Sequence, residues 1–221
     1  MAILLNRMKS LFYAVMFWGL AVTAAYAQKY EFSVLGGYTN LDPGPLGSHP
    51  DNETRKDTDT SLKADRSYGA RFTINTKGYY GHELGYRLTR ATLRTTLRGQ
   101  LNNTIVENTL QTRVNVHSAS YNFLMYMMPA GEWWRPYITV GGQMFRYDKP
   151  NFENWRGGAY TSGGANLGCG LKLKARNFLF RVDFSDYIEG KPYALESQEP
   201  FETIGGIFHQ LEATVGVGIT F

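Results

Sequence analysis

The last stretch of the chain reads Leu211-Glu212-Ala213-Thr214-Val215-Gly216-Val217-Gly218-Ile219-Thr220-Phe221. Leu211, Ala213, Val215, Val217, Ile219 and Phe221 fall on one side of a period-two strand, and Glu212, Thr214, Gly216, Gly218 and Thr220 on the other. One face suits lipid and the other suits water. A strand of a soluble sandwich alternates in the same way, but it rarely finishes on an exposed aromatic. This stretch therefore predicts the closing strand of a barrel whose outside is apolar.

The opposite end supports that reading independently. Arg7 and Lys9 precede an apolar run from Leu11 to Ala25, and Ala25-Tyr26-Ala27 precedes the polar Gln28. A basic start, an apolar middle and small residues at Ala25 and Ala27 are the three parts of a cleaved secretory signal. The competing reading, a membrane anchor, needs ~20 apolar residues and the run is shorter. The expected division is a signal peptide at 1–27 and one barrel domain at 28–221.

The formal net charge of +4 falls by two when Arg7 and Lys9 are removed, leaving a near-neutral domain with scattered charge and no basis for nucleic-acid binding. Cys169 is the single cysteine, so no disulfide framework forms within one chain. The 24 glycines and the many Tyr, Phe and Trp residues suit amphipathic strands with aromatic belts.

Alternation recurs along the chain. It predicts strands at Tyr30 to Leu41, Ser67 to Thr76, Tyr79 or Tyr80 to about Thr96, Leu110 to Met127, Trp133 to Tyr147, Thr161 to Lys174, Phe178 to Tyr187, and Leu211 to Phe221. The connections alternate long and short. Long polar loops are expected at Asp42 to Arg66, Leu97 to Asn108, Asp148 to Tyr160 and Glu189 to Gly205, and tight turns at Lys77-Gly78, Pro129-Ala130-Gly131 and Ala175-Arg176-Asn177. In the fourth strand Tyr121, Phe123 and Met125 are expected to face lipid, with Ser118, Ser120 and Asn122 inside. Val114 and Val116 then point the wrong way, which a β-bulge would explain.

Eight strands in this rhythm predict an all-β, eight-stranded antiparallel transmembrane β-barrel with short periplasmic turns and long extracellular loops. A soluble lipocalin-like barrel also has eight strands, but its apolar residues point inward. Here the face opposite the apolar one carries Arg, Lys, Glu and Asp, which fill an interior only if paired. Aromatic residues gather at both ends: Tyr30, Tyr79, Tyr80, Trp133, Trp134, Phe178 and Phe221 near the turns, and Tyr38, Tyr68, Tyr147 and Tyr187 near the loops. Two such bands match two headgroup girdles.

Together the signal, the eight amphipathic strands and the terminal Phe resemble the small OmpA/OmpX-type outer-membrane β-barrel proteins. The segment Arg181-Val182-Asp183-Phe184-Ser185-Asp186-Tyr187 also resembles the penultimate-strand pattern of the OmpA-like group, with Ser185 where Arg is usual. The resemblance implies a place in the outer membrane of a Gram-negative-type envelope, in contact with outer-membrane lipid and lipopolysaccharide. It also implies recognition of the last strand by the barrel-insertion machinery through Phe221.

Chemistry is expected in two places. Inside, Arg71, Arg87, Arg135, Lys172, Lys174 and Arg181 face Glu31, Glu83, Asp183 and Glu212. Charges so close must pair, and the expected result is a plug. The alternative is a narrow porin-like channel for small solutes, gated by a bridge from Glu83 to Arg87, Arg71 or Arg181. Outside, Phe152, Trp155, Arg156 and Tyr160 mix flat rings with polar groups, as recognition surfaces for glycan or protein do.

No cofactor or metal is expected. Asp51, Glu53, Asp57 and Asp59 lack Ca²⁺-loop spacing and are interleaved with bases. No catalytic residue is assigned either. A lipid-modifying barrel enzyme needs a nucleophile, a His base and an acid. His49, His82, His117 and His209 include none with a matching Ser close in sequence, and Ala119 occupies the second position after His117. The expected role is non-enzymatic, structural and surface-interacting.

Overall fold

The computed structural model describes residues 29–42, 44–47, 57–63, 65–76, 78–101, 104–152, 155, 158–195 and 204–221, without the side chains at 57–58, 97–101 and 104–105. Nine strands form: β1 (Tyr30–Leu41), β2 (Asp57–Lys63), β3 (Asp65–Thr76), β4 (Tyr80–Leu101), β5 (Thr104–Tyr126), β6 (Trp134–Tyr147), β7 (Tyr160–Ala175), β8 (Phe178–Gly190) and β9 (Ile207–Thr220). Eight of them close an antiparallel ring in the order β1-β3-β4-β5-β6-β7-β8-β9, with β9 returning to β1. The seam is tied at its ends, where Tyr30 N donates to Phe221 O at 3.0 Å and Phe221 N to Tyr30 O at 2.9 Å. Gly78, at φ 75°, adopts the left-handed backbone that the tight β3–β4 turn requires.

The outward positions of the predicted strands form a continuous apolar belt. Leu84 and Tyr86 on β4, Val140 on β6, Leu167 on β7, Phe180 and Phe184 on β8, and Val215 and Val217 on β9 are all exposed. Burying one such residue in lipid is worth ~1.5–3 kcal/mol, so a belt of this size has no place in water. Leu211 to Phe221 spans about 33 Å of extended chain. At a barrel tilt of ~40° that length covers the ~25 Å apolar band of an outer-membrane barrel.

Four expectations need correction. The stretch Asp42 to Arg66 is not all loop, because β2 pairs with β4 from Asp57↔Arg98 to Lys63↔Thr92. Leu97 to Asn108 is not a loop either. Strands β4 and β5 stay paired from Tyr80↔Met125 to Leu101↔Thr104 without a break. They rise ~40 Å of strand past Leu88 as a hairpin, and β2, β4 and β5 form a three-stranded sheet standing outside the lipid belt.

The third correction concerns β5, which contains no bulge. Its pairing with β4 and with β6 runs in constant register, and Val114 and Val116 are buried on the same inward face as Ser118. What changes is the surroundings. Beside lipid the outward side chains are Tyr121, Phe123 and Met125; beyond it they are Arg113 and Asn115, and the inward ones become apolar. The irregularity lies across β4 instead. The register along β4 shifts by one residue between Lys63↔Thr92 on β2 and Ser67↔Thr89 on β3.

Fourth, Tyr147 and Tyr187 do not belong to the outer girdle. Tyr38 and Tyr68 are exposed as expected, but the rings of Tyr147 and Tyr187 are buried inside the barrel.

Candidate functional site: the filled barrel interior

Inward side chains stack in layers from the turn end upward. In the lowest layer Lys172 Nζ lies 2.6 Å from Glu31 Oε2 and donates to Tyr126 OH at 2.9 Å. Asn75 Nδ2 donates to Glu31 Oε1 at 2.8 Å. Arg135 has no carboxylate partner among the described residues. It donates to Gly78 O at 2.8 Å and to Asn75 Oδ1 at 3.4 Å, and its guanidinium sits 3.6 Å from the Tyr126 ring centre. Backbone carbonyl, amide and π-face thus replace an anion.

The middle layer is the densest. Arg181 donates to Glu83 Oε2 at 2.8 Å, and to Asp183 through Nε and Nη2 at 2.9 Å each. Arg181 and Asp183 are two residues apart on β8 and so share a face, which permits the two-pronged contact. Arg71 Nη1 bridges the same two acids at 3.3 and 3.4 Å. Thr73 donates to Glu83 at 2.8 Å, and Tyr137 donates to Asp183. Room for the Tyr137 ring comes from Gly170 on β7, where a Cβ would lie 2.6 Å from ring atoms.

Above this, Arg87 pairs with Glu212 at 3.2 Å and lies 4.0 Å from the Tyr187 ring centre, while Tyr187 OH donates to Glu212 Oε2 at 2.9 Å. Arg87 is therefore not a partner of Glu83. Glu189 accepts from Tyr147, Ser162 and Gln210. A hydrocarbon cap closes the top: Leu41, Leu46, Leu62, Ala91, Leu93, Val114, Val116, Phe145 and Phe208 pack with Trp155 and Leu195. Two small cavities against the charged layers, one beside Arg71, Arg87 and Glu212 and one beside Glu31, Arg135 and Lys172, measure about 20 Å³ and 10 Å³. A single water needs ~10–15 Å³.

The structure thus buries together nine of the ten charges read from the sequence, Glu31, Arg71, Glu83, Arg87, Arg135, Lys172, Arg181, Asp183 and Glu212, while Lys174 stays half-buried at the turn end beside the lowest layer. Sequence reading missed Glu189, assigned there to a loop, and the tyrosines that hydrogen-bond and space the ions. The alternation of β8, extended two residues further, would have found Glu189. The expected recognition loop behaves differently. Trp155 is buried in the cap, and Phe152 and Tyr160 pack half-buried against it with Tyr193, whose hydroxyl donates to Asp148 O at 2.6 Å. Arg156 lies outside the described residues, as do Asp51, Glu53, Ala25 and Ala27.

Two solved structures share this architecture. The outer membrane protein OprG from Pseudomonas aeruginosa superposes with a TM-score of 0.55 at 15% identity, covering 88% of this chain and 97% of that one. Neisserial surface protein A superposes with a TM-score of 0.53 at 10% identity, covering 88% and 99%. The fold is that of the small eight-stranded outer-membrane barrels. No protein-family model matches the sequence, and no curated protein sequence does.

Within this barrel fold, Phe221 occupies the seam. Its ring stacks on Tyr30 with centroids 6.1 Å apart, and Tyr30 stacks in turn on Phe72 at 6.1 Å. The described histidines, His82, His117 and His209, sit outside the interior. His82 and His117 contact Tyr121 and Tyr86 at 2.7 Å, and His209 Nδ1 lies 2.9 Å from Asp186 Oδ2. Ser185, next to Asp186 in sequence, is on the opposite, buried face.

Proposed function

We propose that this protein is a non-enzymatic structural barrel of the outer membrane, exported through a cleaved signal, closed to solutes, and making its contacts through the parts that stand above the lipid. One observation carries the closed state. Ion pairs cross the barrel in each charged layer, Lys172 on β7 to Glu31 on β1, Arg181 on β8 to Glu83 on β4, and Arg87 on β4 to Glu212 on β9, and two small cavities against these layers measure about 20 Å³ and 10 Å³. Opening a path would strand buried ions at several kcal/mol apiece.

Two further features support the membrane contacts. Arg66, Arg90, Arg113 and Arg146 are exposed on adjacent strands just beyond the outward Tyr68 and Tyr86. Such a row of cations above the apolar belt supports contact with the anionic headgroups of outer-leaflet lipid, lipopolysaccharide included. The position of Phe221, at the end of β9 and on the seam, supports the reading that the insertion machinery recognises this strand.

Planar-bilayer conductance of the refolded protein tests this reading, beside Glu83→Gln and Asp183→Asn. The wild type is expected to be silent. Steady wild-type channels that change in both variants would overturn the plug and establish a charge-gated channel.

A further inference from the structure

The apolar belt is not even all round the barrel. On the wall from β6 to β1, one row of paired outward residues alternates large and small side chains: Ile138, Cys169, Phe184, Ala213 and Tyr38. The next row toward the outer surface holds Leu167, Asp186, Leu211 and Asn40. Ala213 and Cys169 leave a groove of about 640 Å³ among Tyr38, Phe184, Leu167 and Leu211. Ligand sites commonly measure ~300–1,000 Å³, and this one opens onto lipid.

The outer end of the groove is polar. Asp186 lines it, with Oδ2 at His209 and with Oδ1 lacking a hydrogen-bond partner among the described residues. The side chain is 31% exposed, so the carboxylate has room to turn toward the groove. A carboxylate oxygen on a lipid-facing wall is costly unless a donor meets it, and hydrocarbon chains supply none. The exposed Asn40 stands beside it on β1, two strands away. Beyond Tyr38 the first row continues to the exposed Arg66 on β3, two strand spacings or ~10 Å from Ala213.

We propose that this groove binds one acyl chain of a phosphorylated glycolipid of the outer leaflet, with an amide N–H or hydroxyl at the root of that chain donating to Asp186 and a phosphate resting on Arg66. The inference rests on the reading that outer-leaflet glycolipid meets the barrel, and it gives that contact a site within the belt. Each part of the site asks for one part of the ligand. An aliphatic chain fills the notches at Ala213 and Cys169. A donor at the chain root answers the unused acceptor, and a phosphate answers the guanidinium through a charge-assisted bond. Ester-linked phospholipids offer the chain and the phosphate but no donor at the chain root, so Asp186 selects against them.

Native mass spectrometry of the full refolded barrel tests this, with rough lipopolysaccharide and phosphatidylglycerol offered together in detergent micelles. The wild type is expected to retain one glycolipid, several-fold in preference to phosphatidylglycerol. Ala213→Phe fills the groove and should lower the retained glycolipid several-fold. Asp186→Leu removes the acceptor and should erase the preference. Leu84→Phe, outward on β4 across the barrel, should change neither. Equal retention of the two lipids by the wild type, or a loss in Leu84→Phe as large as that in Ala213→Phe, overturns the site. If Ala213→Phe binds as the wild type does while Arg90→Gln with Arg146→Gln does not, the headgroup contact stands and the groove falls. A wild type that retains no glycolipid removes both. Heat-modifiable migration verifies that each variant is folded.

Discussion

The inward faces of β4 and β5 carry polar groups and ions in their lower half and hydrocarbon in their upper half. The change falls between Arg87 and Ala91 on one strand and between Ser118 and Val116 on the other. The outward faces do the reverse, passing from Leu84, Tyr86, Tyr121 and Phe123 to Arg90, Arg94, Asn115 and Arg113. Polarity inverts with no slip of register, because the solvent outside the wall changes from lipid to water. In the membrane section an interior as apolar as the exterior would let a one-residue slip go uncorrected. Buried ion pairs are poor stabilisers compared with packed hydrocarbon. Their service here is to make one face unmistakably the inside.

That contrast is most sharply broken at Arg181. Replacing it with Met leaves Asp183 and Glu83 sharing only Arg71, and a loss of about 4 kcal/mol is expected, as for other broken buried pairs, read from urea unfolding in lipid vesicles. In the cap, Phe208→Ala removes a fully buried ring and should cost about 3 kcal/mol. Because the charged layers remain below it, the same variant should stay electrically silent, and a conducting Phe208→Ala protein would show that the cap is the true seal. The smallest effect separates specificity from stability. Glu31→Leu combined with Lys172→Met replaces the lowest ion pair by hydrocarbon and should change stability by less than about 1 kcal/mol, while Lys172→Met alone strands Glu31 and costs about 3. A large loss in the double variant would mean that this pair is itself stabilising.

The same inversion explains what could be read from the sequence. Where a strand lies in lipid, one solvent is apolar and period-two alternation is unmistakable, as in β1, β6, β8 and β9. The inward ions followed directly, since the face opposite the apolar one had to hold them. Where β2 and the upper parts of β4 and β5 stand in water, both faces of a strand tolerate polar residues, and Asp57 to Lys63 and Leu97 to Asn108 look like loop. Val114 and Val116 seemed misplaced only while lipid was assumed outside them. Tyr147 and Tyr187 were misassigned because a tyrosine at a strand end suits a headgroup girdle and a polar interior equally well. Trp155 depends on contacts with Phe152 and Tyr193, the latter some forty residues away, which no local pattern encodes.

The seam between β1 and β9 also has a kinetic consequence. It joins the first strand made to the last, so until β9 arrives the growing wall has two unsatisfied edges, each a template for a wrong neighbour. The contact that ends this exposure has the greatest sequence separation of the strand pairings among the described residues and the largest loop to close. A chain shortened by the length of β9 would keep most of its pairings yet remain an open ribbon, which is why closure, rather than strand formation, is the step a folding catalyst would have to guard.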